Sequence, residues 1–405
     1  MQILVVNAGS SSMKFGLYDF DSLEPVARGL LDWRGESHRA TITITPSHGD
    51  RIETQRDVLD YRRGAVEALR LLGQHQLTGD DGSSIRVVGH RLIHGGEEIR
   101  EPVRIDAAMK EHILRFTHLA PLHIPAVIQA IEACEEALEG VPQTGLFDTA
   151  FFGSIPPAAY IYPVPYDWYR DWGIRRFGFH GTSHAYCTER ATQMLDEDPA
   201  QLRLVLCHLG QGASATAVRG GKAVDNTMGY TPLEGLMMGT RSGSVDPGIL
   251  IHVQREFGLS ADALDDALNK KSGLLGVSGL TSDFRELEAA AAGGHERAQL
   301  ALEVYAYRVR AVVGALSVSL GGLDALVFTG GIGENAAGLR AMVCSGLECL
   351  GVYLDPARNA AGKADCDVAT DGSAARVLLI HTREETMIAR EARRLVLAAG
   401  SSTSS

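Results

Sequence analysis

Residues 3–18 read ILVVNAGSSSMKFGLY, in which four apolar residues run into a short segment of Asn, Ala, Gly and Ser and then into alternating residues. This pattern predicts a buried strand, a tight turn and a second strand. The small side chains and approachable amides of the turn suit a phosphoryl group, which the ammonium of Lys14 would face. A surface hairpin with a solvated lysine fits the same residues, because Gly/Ser turns are common at hairpins.

The pattern returns further along the chain. Residues 202–218 read LRLVLCHLGQGASATAV, again a strand, a glycine-rich turn and a strand, and residues 323–335 read LDALVFTGGIGEN. We interpret this as a structural duplication in an α/β protein, with a nucleotide held by the turn amides between two related domains. No G-x-x-x-x-G-K-[ST] motif is present, and GGIGEN lacks the G-x-G-x-x-G spacing of dinucleotide-binding folds.

The chain length, net charge and cysteine content limit the class of protein. A length of 405 residues predicts two domains, and a net charge of −12 argues against nucleic acid or an anionic membrane as the main partner. The six cysteines have no metal-binding spacing, which fits a reducing compartment. No signal peptide or membrane-spanning segment is recognised, so the sequence predicts a cytoplasmic protein.

Two arginines stand beside glycine-rich turns. Residues 85–93, IRVVGHRLI, predict a buried strand with Arg91 near its exit, where ligands gather in α/β sheets. Arg241 lies in MMGTRSGSVDPG. A guanidinium at either position can clamp a carboxylate or a phosphate with two hydrogen bonds, although most arginines are solvated surface residues.

Two acidic residues are candidates for a cation site. Asp148 lies inside the apolar run GLFDTAFF, and a buried carboxylate must be paired or must bind a cation such as Mg²⁺. Glu384 lies near the start of the last predicted helix. The alternative for this segment is structural, because Thr382 and Glu385 match a T-x-x-E capping box.

Two histidines could contact a ligand. His180, in RRFGFHGTSH, could stabilise charge on a phosphoryl group during transfer. Alternatively, Ser183 caps a helix that begins near His184, and His180 only packs beside it. His123, in APLHIPA, is interpreted as a helix-entry residue that could also touch a ligand.

Together the motifs resemble the acetate kinase family, the short-chain acyl kinases of the actin, Hsp70 and sugar-kinase superfamily. The resemblance covers nearly the whole chain, and its motifs occur in the family's order: NAGSSSMKF, HRLIHGG, APLHIP, FDTAF, RRFGFHGTSH, HLGQGAS, GYTPLEGLMMGTRSG, DALVFTGGIGEN and TREET. It implies two duplicated actin/Hsp70-like (ribonuclease H-like) α/β domains with a cleft between them. The N-terminal acyl kinase domain would comprise residues 1–148 and 386–405, and the C-terminal nucleotide-binding domain residues 149–385.

The resemblance also implies an activity and partners. The activity is reversible in-line phosphoryl transfer between ATP and acetate, giving ADP and acetyl phosphate, with Mg²⁺ or in its place Mn²⁺. The implied assembly is a homodimer, and no nucleic acid or membrane partner is expected.

The resemblance assigns roles to particular residues. The catalytic set is Asn7, Arg91, Asp148, His180 and Arg241. The acid-binding set is Arg91, Ile93, Leu122, His123, Phe179 and Pro232. The nucleotide-binding set is Ser10, Ser12, Lys14, His208, Leu209, Gly210, Gln211, Gly212, Asp283, Phe284, Arg285, Gly330, Gly331, Ile332, Gly333 and Asn335. The magnesium set is Asn7, Asp148 and Glu384.

Some positions depart from the family's usual pattern. Gln211 replaces a common asparagine, Arg383 stands where an acid or amide is common, and Ile93 replaces a valine in the methyl pocket that the resemblance implies. The larger Ile93 favours acetate over propionate, although one methylene changes such discrimination by only about 1 to 3 kcal/mol. The alternatives are a propionate or butyrate kinase, an Hsp70-like ATPase, an inactive nucleotide-binding regulator, and a covalent phosphoenzyme route through Glu384.

Overall fold

The computed structural model describes residues 1–8, 12–36, 39–58, 60–79, 82–120 and 123–402. Two of the predicted site residues, Ser10 and Leu122, lie outside these ranges. The chain divides into two compact units, one formed by Met1–Ala150 with Arg383–Ser405 and the other by Phe151–Thr382. We call them unit 1 and unit 2.

The strands of unit 1 are β1 Gln2–Ala8, β2 Ser12–Asp19, β3 Pro25–Glu36, β4 Arg39–Pro46, β5 Ile52–Asp57, β6 Ile85–Leu92, β7 Val103–Ile105 and β8 Gln143–Phe147. Those of unit 2 are β9 Arg203–Leu209, β10 Ala213–Arg219, β11 Lys222–Asn226, β12 Ala325–Thr329, β13 Cys366–Asp367 and β14 Arg376–Leu379.

The helices in chain order are α1 Tyr61–Gln74, α2 Ala107–Leu114, α3 Ile124–Ala137, α4 Pro157–Tyr160, α5 Tyr166–Trp172, α6 Gly181–Leu195, α7 Pro247–Phe257, α8 Ala261–Lys270, α9 Gly273–Ser278, α10 Phe284–Ala292, α11 Glu296–Leu320, α12 Gly330–Asn335, α13 Ala337–Cys344, α14 Pro356–Ala361 and α15 Glu384–Ser402. Short 3₁₀ turns cover Arg115–His118, Ala150–Ser154, Pro199–Gln201 and Glu348–Leu350.

The first hairpin lies inside the sheet of unit 1. In the described residues this sheet has the order β5-β4-β3-β2-β1-β6-β8-β7. The pairs β1–β2 and β2–β3 are antiparallel, whereas β1–β6 and β6–β8 are parallel. Because β6 and β3 flank the hairpin, the alternative that residues 3–18 form a surface hairpin is wrong, although Lys14 itself is exposed.

Alternation along β1 assigns its side chains to two different cores. Ile3 and Val5 pack with Ile388 and Ala389 of α15. Leu4, Val6 and Ala8 belong to the larger cluster on the opposite face, to which α1 and α3 contribute. Since successive side chains of a strand point to opposite faces, a helix layer on each side explains why the run ILVV is apolar throughout.

Unit 2 repeats the arrangement of unit 1. Its sheet, in the part of the chain that the structure describes, has the order β11-β10-β9-β12-β14-β13. As in unit 1, an antiparallel meander (β9, β10, β11) is extended on the other side of its first strand by two parallel strands, β12 and β14. Helix α6 packs on one face, where Cys187 and Ala191 meet Leu204 and Val327. The shared strand order confirms the predicted duplication in an α/β fold.

Candidate active site

In unit 1, polar residues collect at one end of the sheet face that α15 covers. Ile3, Val87 and Leu146 are in the α15 core. Continuing in steps of two along β1, β6 and β8 leads to Asn7, Arg91 and Asp148, which therefore lie on the same face. Lys14 pairs directly with Asn7 across the hairpin and is exposed. Ser12, at the start of β2, is half-buried on this face as well.

Arg91 is held by two carboxylates. Its Nε donates to Oδ1 of Asp148 over 3.0 Å, and its Nη2 donates to Oδ2 over 2.7 Å, so the pair is bidentate. Its Nη1 lies 3.2 Å from Oε2 of Glu384, the first residue of α15. These three contacts fix the orientation of the guanidinium.

The charges of this group are unusual because the group is largely buried. The exposed fractions of the side chains are 18% for Arg91, 4% for Asp148 and 19% for Glu384. Burial by itself would lower the pKa of Arg91, but the carboxylates of Asp148 and Glu384 outweigh it and raise the pKa above its usual value. Arg91 is therefore permanently charged.

The structure adds detail to the sequence predictions for Asp148 and for the segment around Glu384. Asp148 directly follows β8, which ends at Phe147, and lies shortly before the 3₁₀ turn that begins at Ala150. The prediction that a buried Asp148 must be paired or must bind a cation is met by Arg91. Thr382 and Glu385 have partners outside a capping box: the Thr382 hydroxyl donates to Ser183, and the Glu385 carboxylate accepts from Tyr18.

The other acid-binding candidates of unit 1 lie near strand and helix ends. Ile93 directly follows β6 and is half-buried. His123 occupies the N-cap position of α3, which confirms its interpretation as a helix-entry residue.

His180 occupies a strained backbone position in unit 2. Its φ is 61° and its ψ is 27°, in the left-handed region that non-glycine residues seldom adopt. It is the N-cap residue of α6, which begins at Gly181, so the alternative that Ser183 caps a helix starting near His184 is wrong. The Ser183 hydroxyl instead lies 2.8 Å from Nδ1 of His208.

His180 and Arg241 converge on Gly212. A Cβ built on Gly212 would lie 3.3 Å from Nε2 of His180 and 3.7 Å from Nη1 of Arg241. The carbonyl of Pro232 accepts from Arg241 Nη1 over 3.2 Å, and Sδ of Met238 lies 3.6 Å from the same nitrogen. A side chain at position 212 would fill the space that these two donors face.

Arg241 differs from Arg91 in its electrostatic setting. Its partners in the described part of the chain, Pro232 and Met238, are both uncharged, and burial lowers its pKa. An anion beside Arg241 would offset the free-energy cost of burying its positive charge, so this guanidinium is suited to bind one. Phe179, another predicted acid-binding residue of unit 2, is buried one residue before His180.

A cavity of about 590 Å³ in unit 2 brings together half of the predicted nucleotide-binding residues. Its lining includes Gly210, Gln211, Asp283, Phe284, Arg285, Gly331, Ile332 and Asn335, with Glu288 and Ala336 in addition. His208 and Leu209 are the last residues of β9, directly before Gly210. The strand β9 runs parallel to β12, so the two turns that follow them meet at one end of the sheet.

Two features explain the glycine-rich turn after β12. Gly330 has a φ of +78°, and a Cβ there would lie only 2.7 Å from the carbonyl oxygen of Leu209, so the turn requires glycine. The amide of Gly330 donates to Glu334 over 3.0 Å, and a Cβ on Gly331 would meet nothing within 4 Å. The open backbone that faces the cavity is therefore that of Gly331, and Gly333 is buried behind it.

A comparison with known proteins identifies the family. The profile described as "Acetokinase family" matches residues 2–390. The chain belongs to the acetokinase family. It is 50% identical over 404 residues to an acetate kinase of Gloeobacter violaceus, with 96% of this chain and 98% of that protein covered.

Solved acetokinase structures agree with the fold. The Porphyromonas gingivalis acetate kinase superposes with a TM-score of 0.92 at 39% identity, covering 98% of this chain and 99% of that one. A propionate kinase from Francisella tularensis gives a TM-score of 0.90 at 37% identity, covering 97% and 99%.

Gln211, one of the positions that depart from the family pattern, lies against Gly239. The Gln211 main-chain oxygen accepts from the amide of Gly239 over 3.2 Å, and a Cβ on Gly239 would come within 2.3 Å of Oε1 of Gln211. In its present conformation, the side chain of Gln211 occupies the space beside Gly239.

Sequence reasoning missed several polar residues behind the acetokinase motifs. These are Ser183 and His184 after His180, Ser214 after Gly212, and Glu334 in the turn after β12. All stand within the quoted motifs, but nothing in a linear pattern shows which hydroxyl meets which imidazole. Glu288 had no such signal; burial in the cavity wall raises its pKa.

The donor chemistry of unit 1 fits a magnesium ion that brings its own phosphate ligands. In the described ranges, no group of three or more His, Cys, Asp or Glu side chains could hold a metal ion. Mg²⁺ commonly takes one or two carboxylates together with substrate phosphates and water. Asp148 and Glu384 provide two carboxylates, and the amide of Asn7 lies on the same face.

Proposed function

We propose that this acetokinase transfers the γ-phosphoryl group of ATP to acetate, forming ADP and acetyl phosphate, and that it also catalyses the reverse reaction. The observation that carries the proposal is the Arg91 group, in which a fully charged guanidinium is fixed by Asp148 and Glu384. The name of the Gloeobacter relative, an acetate kinase, supports the choice of reaction.

The acid would be held by donors that the carboxylate pair leaves available. A guanidinium has five N–H donors, and three of those of Arg91 face Asp148 and Glu384. The remaining two can bind the acetate carboxylate or the phosphoryl oxygens. Since the side chain is already oriented, little conformational entropy is lost when the ligand arrives.

His180 and Arg241 would stabilise the phosphoryl group in flight. In-line transfer needs little covalent help and depends mainly on alignment and on neutralising the phosphoryl oxygens. A preorganised donor of this kind is worth about 3 kcal/mol in the transition state. The uncharged partners of Arg241 leave its charge available for that purpose.

The nucleotide would occupy the cavity of about 590 Å³ in unit 2, a volume within the usual range for small-molecule sites. Gly331 would allow a phosphate to approach the backbone closely, and Asp283 and Arg285 would stand at the exposed side of the cavity. Hydrogen bonding to Arg285 lowers the pKa of Asp283 to about 2, so both residues are charged at neutral pH.

The ATP would enter as its magnesium complex, with Mn²⁺ as a substitute. The ion would be held by Asp148 and Glu384, with Asn7 nearby, and would supply positive charge at the phosphate oxygens. Lys14, Ser12 and Ser10 would support the phosphate end of the nucleotide. Transfer is proposed to be direct, without a phosphoenzyme on Glu384, because the carboxylate of Glu384 already faces Arg91.

Acetate is proposed as the preferred acid. Ile93, directly after β6 of unit 1, would contact its methyl group. The propionate kinase from Francisella tularensis has a similar structure, so propionate is the second candidate. Discrimination between two acids that differ by one methylene is worth only about 1 to 3 kcal/mol.

A homodimer in the cytoplasm completes the proposal. Helix α5 exposes Tyr166, Trp168 and Trp172, whose exposed fractions of 59%, 38% and 63% are high for aromatic side chains. Such a patch often marks an interface. Light scattering should give the molar mass of two chains for the wild type, and Trp172→Glu should lower this mass towards that of one chain. In the described part of the chain, no helix combines the length and apolar character needed to span a bilayer.

The test is a hydroxylamine trap for acyl phosphate with MgATP and acetate, propionate or butyrate. We expect hydroxamate with acetate at the highest rate, and its loss in Arg91→Ala. Arg62→Ala, which removes an exposed ion pair with Glu136 in the same unit, is the matched control and should keep the wild-type rate. ATP hydrolysis without hydroxamate from any acid would contradict the proposal and favour an Hsp70-like ATPase.

A further inference from the structure

The hydroxyl of Ser214 lies between two imidazoles. Ser214 is fully buried on β10, and its Oγ is 2.9 Å from Nδ1 of His180 and 2.8 Å from Nε2 of His184. Among the described residues, the two imidazoles are the only hydrogen-bond partners of this buried hydroxyl, so its single hydrogen is donated to one ring and its oxygen accepts from the other. The direction of this short chain of hydrogen bonds decides which nitrogen of His180 carries the proton.

His184 determines the direction. Its side chain is fully buried, with the ring of Phe152 at 6.0 Å and that of His208 at 6.3 Å. Burial, and after it the nearby His208, lower the pKa of His184 well below its usual value, so the ring is neutral and has one N–H.

The other nitrogen of His184 has no place for a proton. Among the described residues, Nδ1 of His184 is buried without a hydrogen-bond partner. If Ser214 donated to His184, the proton of His184 would sit on this nitrogen as a buried orphan donor, which is rare in folded proteins. The proton is therefore on Nε2 of His184, which donates to Ser214, and Ser214 donates to Nδ1 of His180.

The direction of these hydrogen bonds determines which ring nitrogen of His180 can donate to a ligand. With Nδ1 accepting from Ser214, the single proton of a neutral His180 is on Nε2, the atom that lies beside Gly212 with Nη1 of Arg241. The result is an N–H donor aimed at the same point as a guanidinium donor.

We propose that Ser214, oriented by His184, is a positioning residue that holds His180 as its Nε2–H tautomer, so that a neutral imidazole donates a hydrogen bond to the transferring phosphoryl group. The identity of that acceptor rests on the proposed function, whereas the tautomer does not. In the catalytic triad of serine proteases, a histidine held in the wrong tautomer lowers kcat strongly.

The first test is a ¹⁵N NMR spectrum of the protein without nucleotide, labelled in the histidine rings. Long-range ¹H–¹⁵N correlations distinguish a protonated ring nitrogen from an unprotonated one, and His180→Asn identifies the signals of His180. We expect an unprotonated Nδ1 and a protonated Nε2 at neutral pH. A protonated Nδ1 in the wild type would overturn the proposal, and this result requires no enzymatic activity.

The second test is Ser214→Ala. Losing one neutral hydrogen bond should mix the tautomers and lower kcat about tenfold, with the KM for ATP changed less than about twofold. Ser214→Thr retains the hydroxyl and should restore both the tautomer and kcat. Ser317→Ala removes another buried serine hydroxyl of unit 2, which donates to Val313 within α11, and should leave kcat unchanged. An unchanged tautomer in Ser214→Ala would overturn the proposal whatever the value of kcat.

Discussion

Replacing Arg91 by alanine should destabilise unit 1 strongly, because two carboxylates would lose their counter-charge. Asp148 is only 4% exposed and accepts two hydrogen bonds from Arg91, and Glu384 lies 3.2 Å from the same guanidinium. Removing one partner of a buried pair leaves an uncompensated charge and costs about 3 to 5 kcal/mol. We expect the free energy of unfolding to fall by an amount in this range.

An exposed pair in the same unit gives the matched control. The side chains of Arg62 and Glu136 are 62% and 56% exposed, and such pairs contribute about 0 to 1 kcal/mol. Urea unfolding can be followed by the fluorescence of Trp33, the tryptophan of unit 1, after Trp168 and Trp172 of unit 2 have been replaced by phenylalanine. Arg62→Ala should change the transition by less than about 1 kcal/mol.

A second substitution distinguishes charge from lost packing. In the Arg91→Ala background, Asp148→Asn removes the stranded negative charge and should recover part of the lost stability. The two single substitutions should therefore be strongly non-additive. Equal costs for Arg91→Ala and Arg62→Ala, or additive effects at positions 91 and 148, would refute the view that the guanidinium neutralises a buried carboxylate.

Three further predictions concern other parts of the molecule. Arg241→Ala should lower kcat about 10²-fold to 10³-fold, because a charged donor at the phosphoryl group is lost; unchanged kcat in the hydroxamate assay would remove this arginine from the catalytic set. Gly330→Ala should lower the free energy of unfolding in urea by about 2 to 4 kcal/mol, because alanine would be strained at a φ of +78° and its Cβ would lie 2.7 Å from the backbone of Leu209. Gly331→Ala, the control, should lower it by less than about 1 kcal/mol. Similar losses in the two variants would contradict this account. Burial lowers the pKa of His90 to about 4, although Gln143 partly opposes it. As the pH falls from about 6.5 to 4, His90 becomes protonated in the unfolded chain but not in the folded protein, so the free energy of unfolding should fall by up to about 3 kcal/mol. His90→Gln should reduce the slope of the free energy of unfolding against pH in this range. An equal slope in both proteins would contradict the assignment.

The duplicated sheets were the most predictable part of the fold. Apolar runs that end in small polar residues mark β1, β6, β9 and β12 because a strand covered on both faces must be apolar throughout. The edge strand β5, with the sequence IETQRD and alternating exposure, was not predicted. Its mostly polar residues give no signal that distinguishes it from a loop, since pairing to β4 is what makes it a strand.

The sequence named candidate site residues, but it carried little information about their contacts. The glycine-rich turns and Arg91 indicated strand exits correctly. The pairing of Arg91 with Asp148 joins positions 57 apart in sequence and depends on the register of β6 against β8. The position of Ser214 between two histidines likewise depends on how α6 packs beside β10. Such contacts belong to the tertiary structure and have no local signature.

The central claim, phosphoryl transfer from ATP to acetate, is tested most directly by ³¹P NMR of the wild-type protein with MgATP and acetate. The account predicts that the γ-phosphate signal of ATP decreases while signals of ADP and of an acyl phosphate grow together, and that ADP with acetyl phosphate regenerates ATP. Formation of ADP and inorganic phosphate alone, at a rate independent of acetate and with no acyl phosphate signal, would contradict it.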